Sequence, residues 1–244
     1  MKLFQAIVVV VSAVVFAAGP AAAQEDRGPH SSVGVAAKVS TLGVGVDAAV
    51  PVLERANVRV GFNMFTFNHD FEDDGITLAA SLKLRSLSAS FDWFAFGGGF
   101  HISPGVMLYN GNRVGLQAFV PPGQTFDLGD ETLFSSAANP VTGNGQVAFD
   151  RIAPSLTLGW GNILPRGSRR WSIPFELGVV YSRAPTATIT FGGSACAQNG
   201  TNCRDVATDP GLLADVAREQ SNMNDDLSVL KILPIVSLGF SYKF

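Results

Sequence analysis

From Ser32 to the C-terminus, apolar side chains recur at every second position instead of at helical spacing, in short runs divided by Gly-, Pro- and Asn-rich stretches. The last run is the clearest. Between Leu233 and Phe244, Val236, Leu238, Phe240, Tyr242 and Phe244 share one face, while Ile235, Ser237, Gly239, Ser241 and Lys243 share the other. A strand with one apolar face and one small or polar face separates two solvents. Repeated along a chain, it is the pattern of a transmembrane barrel, with lipid outside and a lumen inside. The aromatic terminal residue, Phe244, is also the kind of signal read by the bacterial barrel-assembly machinery, an expected partner.

The alternation divides the chain as follows. Apolar parity flips around Ser40 to Gly43, which predicts a hairpin between strands over 32–40 and 43–52. Without that extra crossing, an outer-membrane chain ending on the periplasmic side would begin outside the cell. A third strand is expected over 57–67, an acidic external loop over 69–75, and a fourth strand over 76–94. In that fourth strand the apolar parity flips between Leu84 and Leu87, read as a bulge because no turn residues intervene. A fifth strand over 101–110 continues past Asn110-Gly111-Asn112 toward Phe119, and a long loop runs to about Gly145. Strands over 146–162 and 170–182 flank a Pro165-Arg166-Gly167 turn, and the C-terminal strand is the eighth. Before it, Asp209 as N-cap and Pro210 at the first helical position open a helix to about Asn222, with Leu212, Leu213, Val216 and Ala217 as its apolar stripe. It either packs on the rim and its own loop or gates the mouth. The expected fold is all-β: an eight-stranded antiparallel transmembrane β-barrel over 32–244, with long external loops and one short helix before the last strand.

Composition adds the compartment. Lys2, the apolar run Phe4 to Ala18, the Gly19-Pro20 break and Ala21-Ala22-Ala23 make residues 1–23 a signal peptide, with 24–31 a short linker. Its removal implies the bacterial outer membrane, with lipid and lipopolysaccharide as surroundings. No later run is apolar enough for a membrane helix, although the chain is 47% hydrophobic and only 15% charged. The formal net charge is -3, or −4 once Lys2 is lost, which gives no reason to expect nucleic acid or a polybasic lipid-binding patch. Cys196 and Cys203 lie close together in an oxidising compartment and are expected to staple an external loop by a disulfide. A monomer is expected.

Alternation assigns nine charged residues to the lumen: Lys38, Asp47, Arg59, Lys83, Arg85, Asp92, Asp150, Glu176 and Lys243. In a barrel this small they either pair into a network that closes the lumen or line a narrow path suited to zwitterionic solutes. No catalytic residue, cofactor or metal is expected. His101-Ile102-Ser103 resembles the active-site motif of outer-membrane lipid A deacylases, but Pro104 stands where that family has Asn, no acidic partner is apparent, and His101 lies at the periplasmic end. Asp70, Glu72, Asp74 and Gly75 have the spacing of a calcium loop, which fails at Ser81, where Glu is needed. His30, His69 and His101 are too scattered to suggest a metal site.

Ile152 to Gly161 (IAPSLTLGWG), Phe175 to Tyr181 (FELGVVY), Ala184-Pro185 and the charged helical stretch Asp209 to Leu227 occur in an order that resembles the CarO-type ornithine-uptake porins. The resemblance covers about the last hundred residues, and Glu176 is the inward charge that matches the family position by position. It implies a small monomeric barrel for passive uptake of small amino acids. The expected function is thus passive diffusion of small polar or zwitterionic solutes such as amino acids, with a closed structural or surface-interaction barrel as the alternative.

Overall fold

The computed structural model describes residues 32–129, 131–197 and 200–244; the expected signal peptide and linker lie outside them. In chain order the strands are β1 (Gly34–Ser40), β2 (Gly43–Leu53), β3 (Ala56–Asp73), β4 (Ile76–Trp93), β5 (His101–Asn110), β6 (Arg113–Phe119), β7 (Thr125–Leu128), β8 (Glu131–Ser135), β9 (Thr142–Ala148), β10 (Ala153–Trp160), β11 (Trp171–Ser172), β12 (Phe175–Tyr181), β13 (Thr186–Gly192), β14 (Ser194–Cys196), β15 (Arg204–Asp205) and β16 (Ile232–Lys243). Among the described residues one helix, α1 (Pro210–Leu227), precedes β16.

Eight of these strands close on themselves in the order β1, β2, β3, β4, β5, β10, β12, β16, with β16 paired back to β1 and all pairs antiparallel. Closure removes every free edge within the belt, which a strand surrounded by lipid requires. The belt itself is apolar: Val58, Val60, Phe62, Leu156, Leu158, Leu177, Val179, Val236, Leu238 and Phe240 all point outward and are exposed. Trp93, Trp160, Trp171 and Tyr242 sit outward near the end that carries the start of β1, the C-terminus and the short turns. By the rule that short turns lie on the periplasmic side, this is the periplasmic end. The hairpin at Ser40 to Gly43 sits at the opposite end, where the Ser40 hydroxyl donates to the Gly43 carbonyl at 3.0 Å.

Above the belt the wall continues. β6, β9 and β13 extend β5, β10 and β12, and with the upper halves of β3 and β4 they form a tall sheet on one side of the mouth. The expected acidic loop is instead a continuation of this hairpin. Its ladder runs to Asp73 opposite Ile76, and the turn is only Asp74-Gly75, both at positive φ (48° and 78°). That is the two-residue Asp-Gly turn whose twist matches paired strands. The long loop expected before Gly145 likewise contains β7 and β8, which join β14 and β15 in a second, four-stranded sheet. Val120, Leu128, Leu133, Val141, Ala195, Val206, Leu212 and Val216 form a hydrophobic core there, with Ile76, Phe126 and Phe191 against it. The external segments thus form a folded cap with its own core.

The expected bulge in β4 is absent from the β3–β4 ladder, which keeps register from Ala56 opposite Trp93 to Asp73 opposite Ile76. The irregularity is in β5: Leu87 faces Tyr109 and Ser88 faces Met107, so Leu108 is the inserted residue. What flips in β4 is the solvent. Below Ser86 the outer face meets lipid and is apolar. Above it the outer face meets water and carries Lys83, Ser81 and Thr77, while Leu84, Leu82 and Leu78 turn to the inner side. An uninterrupted strand that leaves the bilayer must exchange the polarity of its two faces.

Helix α1 begins as expected, with the Asp209 carboxylate accepting from the Gly211 and Leu212 amides, and runs on to Leu227. Only Leu212 and Val216 of the expected stripe are buried; Leu213 and Ala217 are exposed. The helix lies along the free edge of β13. The Gln220 side-chain oxygen accepts the Ile189 amide at 2.9 Å, and Asn224 accepts the Ala187 amide at 2.8 Å while donating to the Ala187 carbonyl at 3.4 Å. Side-chain amides here do what β16 does for β12 lower down. The cysteines Cys196 and Cys203 form a disulfide in the cap.

Candidate functional site: the charged lumen

Five of the nine charges assigned to the lumen come together there. Arg59 is the centre. Its Nη1 lies 2.6 Å from Glu176 Oε1 and 3.4 Å from Asp47 Oδ2, and its Nη2 lies 2.9 Å from Asp92 Oδ1. Lys38 Nζ is 2.7 Å from Asp47 Oδ1. Arg59, Asp47, Asp92 and Glu176 are 6%, 3%, 3% and 5% exposed, so the charges are desolvated and hold one another. A guanidinium suits this place because its planar fork serves several carboxylates at once, whereas an ammonium acts as a point charge.

The sixth member is not among the nine, and the sequence offers it only as part of a failed catalytic motif. His101, 2% exposed, places Nε2 3.2 Å from Glu176 Oε1 and Nδ1 3.2 Å from the Gly99 carbonyl. The acidic partner missing from the sequence motif is therefore Glu176, which reaches His101 from β12 over Gly159 of the intervening β10. The triad is still not assembled: with Nε2 on Glu176, the other ring nitrogen is taken by the Gly99 carbonyl, and the buried Ser103 hydroxyl has no hydrogen-bond partner. Glycines make the room. A Cβ on Gly159 would run into the His101 ring, and one on Gly61 would meet the Asp47 carboxylate. Below the histidine, Phe94 packs at 5.0 Å between ring centroids, and the Arg166 guanidinium lies 5.0 Å from the Phe94 ring centre while its Nη1 donates to the Gly97 carbonyl.

Three of the other four assignments are corrected, and the fourth keeps its face but lies away from the network. Lys83 and Arg85 are exposed on the outer face, because β4 leaves the belt without a bulge. Asp150 stands at the rim, 46% exposed, 3.8 Å from the still more exposed Arg183. Lys243 is on the inner face but at the periplasmic end, where its ammonium donates to the Pro165 and Gly167 carbonyls and ties the turn to the last strand.

Asp92, His101 and Glu176 offer three ligand atoms within 4.8 Å of one another, a spacing a metal ion could use. Arg59 already neutralises both carboxylates, so a metal would have to displace the guanidinium. On the external side of the network is a cavity of about 50 Å³, lined by Ser40, Ser88, Ser90, Ser155 and Ser237 among others. Arg59 Nε, Asn63 Oδ1, Ser103 Oγ and Thr157 Oγ1 lack protein partners. At ~10–15 Å³ per water, the cavity accommodates roughly three to five waters. No residue of α1 lines it.

An apolar belt, complete strand closure, short turns at one end and a folded cap at the other define an eight-stranded β-barrel of the outer-membrane type. Among solved structures, Acinetobacter baumannii CarO is similar at 21% identity and a TM-score of 0.52, over 86% of this chain and 97% of that one. Acinetobacter baumannii CarO2 is similar at 18% identity and a TM-score of 0.54, over 87% and 98%. The shared fold therefore spans the barrel and its external extension. No family model matches the chain, and no curated protein matches it.

Proposed function

We propose that this protein is an outer-membrane barrel whose lumen is held shut by the Arg59 network and whose folded cap is the surface it presents outside the cell. The observation that carries this reading is the bridging of the interior by side chains from β1, β2, β3, β4, β5 and β12, meeting at one buried guanidinium. A second reading, slow passage of small polar or zwitterionic solutes such as amino acids, is favoured by the serine-lined cavity directly above mixed charges. Liposome swelling separates them. The closed reading expects wild-type protein to give no more swelling in glycine than protein-free liposomes, and the R59A variant to give more. Wild-type swelling near that of an open porin would overturn it and favour the second reading. The same placement includes removal of residues 1–23, a monomeric state and recognition of Phe244 by the barrel-assembly machinery. Deleting Phe244 is expected to lower the heat-modifiable, folded fraction in cells, and an unchanged fraction would exclude the terminal signal.

A further inference from the structure

We propose that Lys83, Arg85 and Arg113 bind the phosphorylated headgroup of an outer-leaflet glycolipid, the chemistry of lipopolysaccharide. Lys83 on β4 lies directly opposite Arg113 on β6, so their Cβ atoms are about 4.5–5.5 Å apart on one face. Arg85 is two residues along from Lys83, on the same face and roughly 7 Å away. All three side chains are exposed, and none has an ion-pair partner among the described residues. Their cross-strand neighbours on that face, Met64, Thr66 and Ala148, are uncharged. The rim carboxylate Asp150 is engaged by Arg183. Like charges placed directly opposite destabilise a sheet unless a counter-charge joins them, so this arrangement calls for an anion from outside the chain.

The height identifies the anion. Arg85 stands opposite Met64, the top of the outward apolar run Val58, Val60, Phe62 and Met64, and Lys83 and Arg113 stand one step above it. A ligand here meets cations at its head and an apolar wall directly below, which fits a lipid with phosphates at its head better than a free anion. Two guanidiniums within reach of an ammonium suit phosphate, which accepts paired N–H donors. The proposal rests on the outer-membrane orientation and is independent of whether the lumen conducts.

The test uses protein purified in nonionic detergent and fluorescently labelled diphosphoryl lipid A, with phosphate-free lipid A and inorganic phosphate as competitors. Diphosphoryl lipid A is expected to bind, with the phosphate-free form and inorganic phosphate displacing it poorly. The K83Q/R85Q/R113Q variant is expected to bind about a hundredfold more weakly, roughly fivefold per charge, while R169Q/R170Q at the periplasmic turn binds as wild type. If the triple variant fails to fold by heat-modifiable mobility, K83Q and R113Q singly carry the same expectation of about fivefold each. Unchanged binding in the variants, equal competition by phosphate-free lipid, or equal competition by inorganic phosphate would each overturn the site. A tag inserted at Asp74-Gly75 separates the two levels. If it is inaccessible on intact cells, the orientation itself fails; accessible, with unchanged lipid A binding in the variants, it sinks only the site.

Discussion

Replacing Arg59 with Met removes the one group that holds three strands' carboxylates together. Asp47 keeps Lys38 at 2.7 Å, Glu176 keeps His101 at 3.2 Å, and Asp92 is left with only the Ser90 hydroxyl at 3.3 Å. Removing one partner of a buried pair costs about 3–5 kcal/mol, chiefly because a desolvated charge loses its partner. Two carboxylates lose their closest cation here, so R59M is expected near the top of that range, about 5 kcal/mol. The measurement is equilibrium urea unfolding in lipid vesicles, followed by heat-modifiable mobility and tryptophan fluorescence. The diagnostic partner is D92N in the same chain, which removes the most exposed consequence of losing Arg59. R59M/D92N should therefore recover roughly 2–3 kcal/mol relative to R59M, a non-additive result for residues in direct contact. R59K separates charge from shape, because an ammonium cannot span Asp92 and Glu176 as the guanidinium fork does, and should fall between wild type and R59M. A loss below about 1 kcal/mol for R59M, or strict additivity with D92N, would mean that the network does not hold the barrel in the manner derived from its distances.

Gly159→Ala should cost about 1–3 kcal/mol, since the new methyl meets the His101 ring and drives it off Glu176. Gly145→Ala is its control: the nearest atom to a Cβ there is 3.9 Å away, so urea unfolding should change by less than about 0.5 kcal/mol, and equal losses would refute the steric reading. Truncating Gln220 and Asn224 to Ala should leave barrel unfolding unchanged but raise hydrogen exchange at the Ala187 and Ile189 amides about five- to tenfold or more, as expected for losing ~1 kcal/mol of capping per amide. Unchanged exchange at those two amides would show that the helix does not protect the β13 edge.

Alternation located the barrel but did not say which solvent each face meets, and the errors follow from that gap. Within the belt, outward means apolar, and Glu176 could be placed from sequence because it is a lone charge among Phe175, Leu177 and Val179. From Arg85 upward, outward means polar, so the same rule moved Lys83 and Arg85 into the lumen and required a bulge in β4 that the ladder does not contain. The clue was the Asp74-Gly75 turn: a two-residue turn there makes β3 and β4 too long to fit inside a bilayer, at ~3.4 Å per residue over the 18 residues of each strand. His101 was discounted because its acidic partner is distant in sequence, yet the register that pairs it with Gly159 puts a residue with no side chain directly opposite a buried ring. A glycine facing a polar aromatic on the inner wall is a sign of space kept for that side chain. The cap was least legible, since β7, β8, β14 and β15 are too short to show a period and gain their stability from one another and from Leu212 and Val216. In such segments the pattern that matters is tertiary, and what announced it in advance was the N-cap at Asp209 with its Leu212 and Val216 stripe and the Cys196–Cys203 pair.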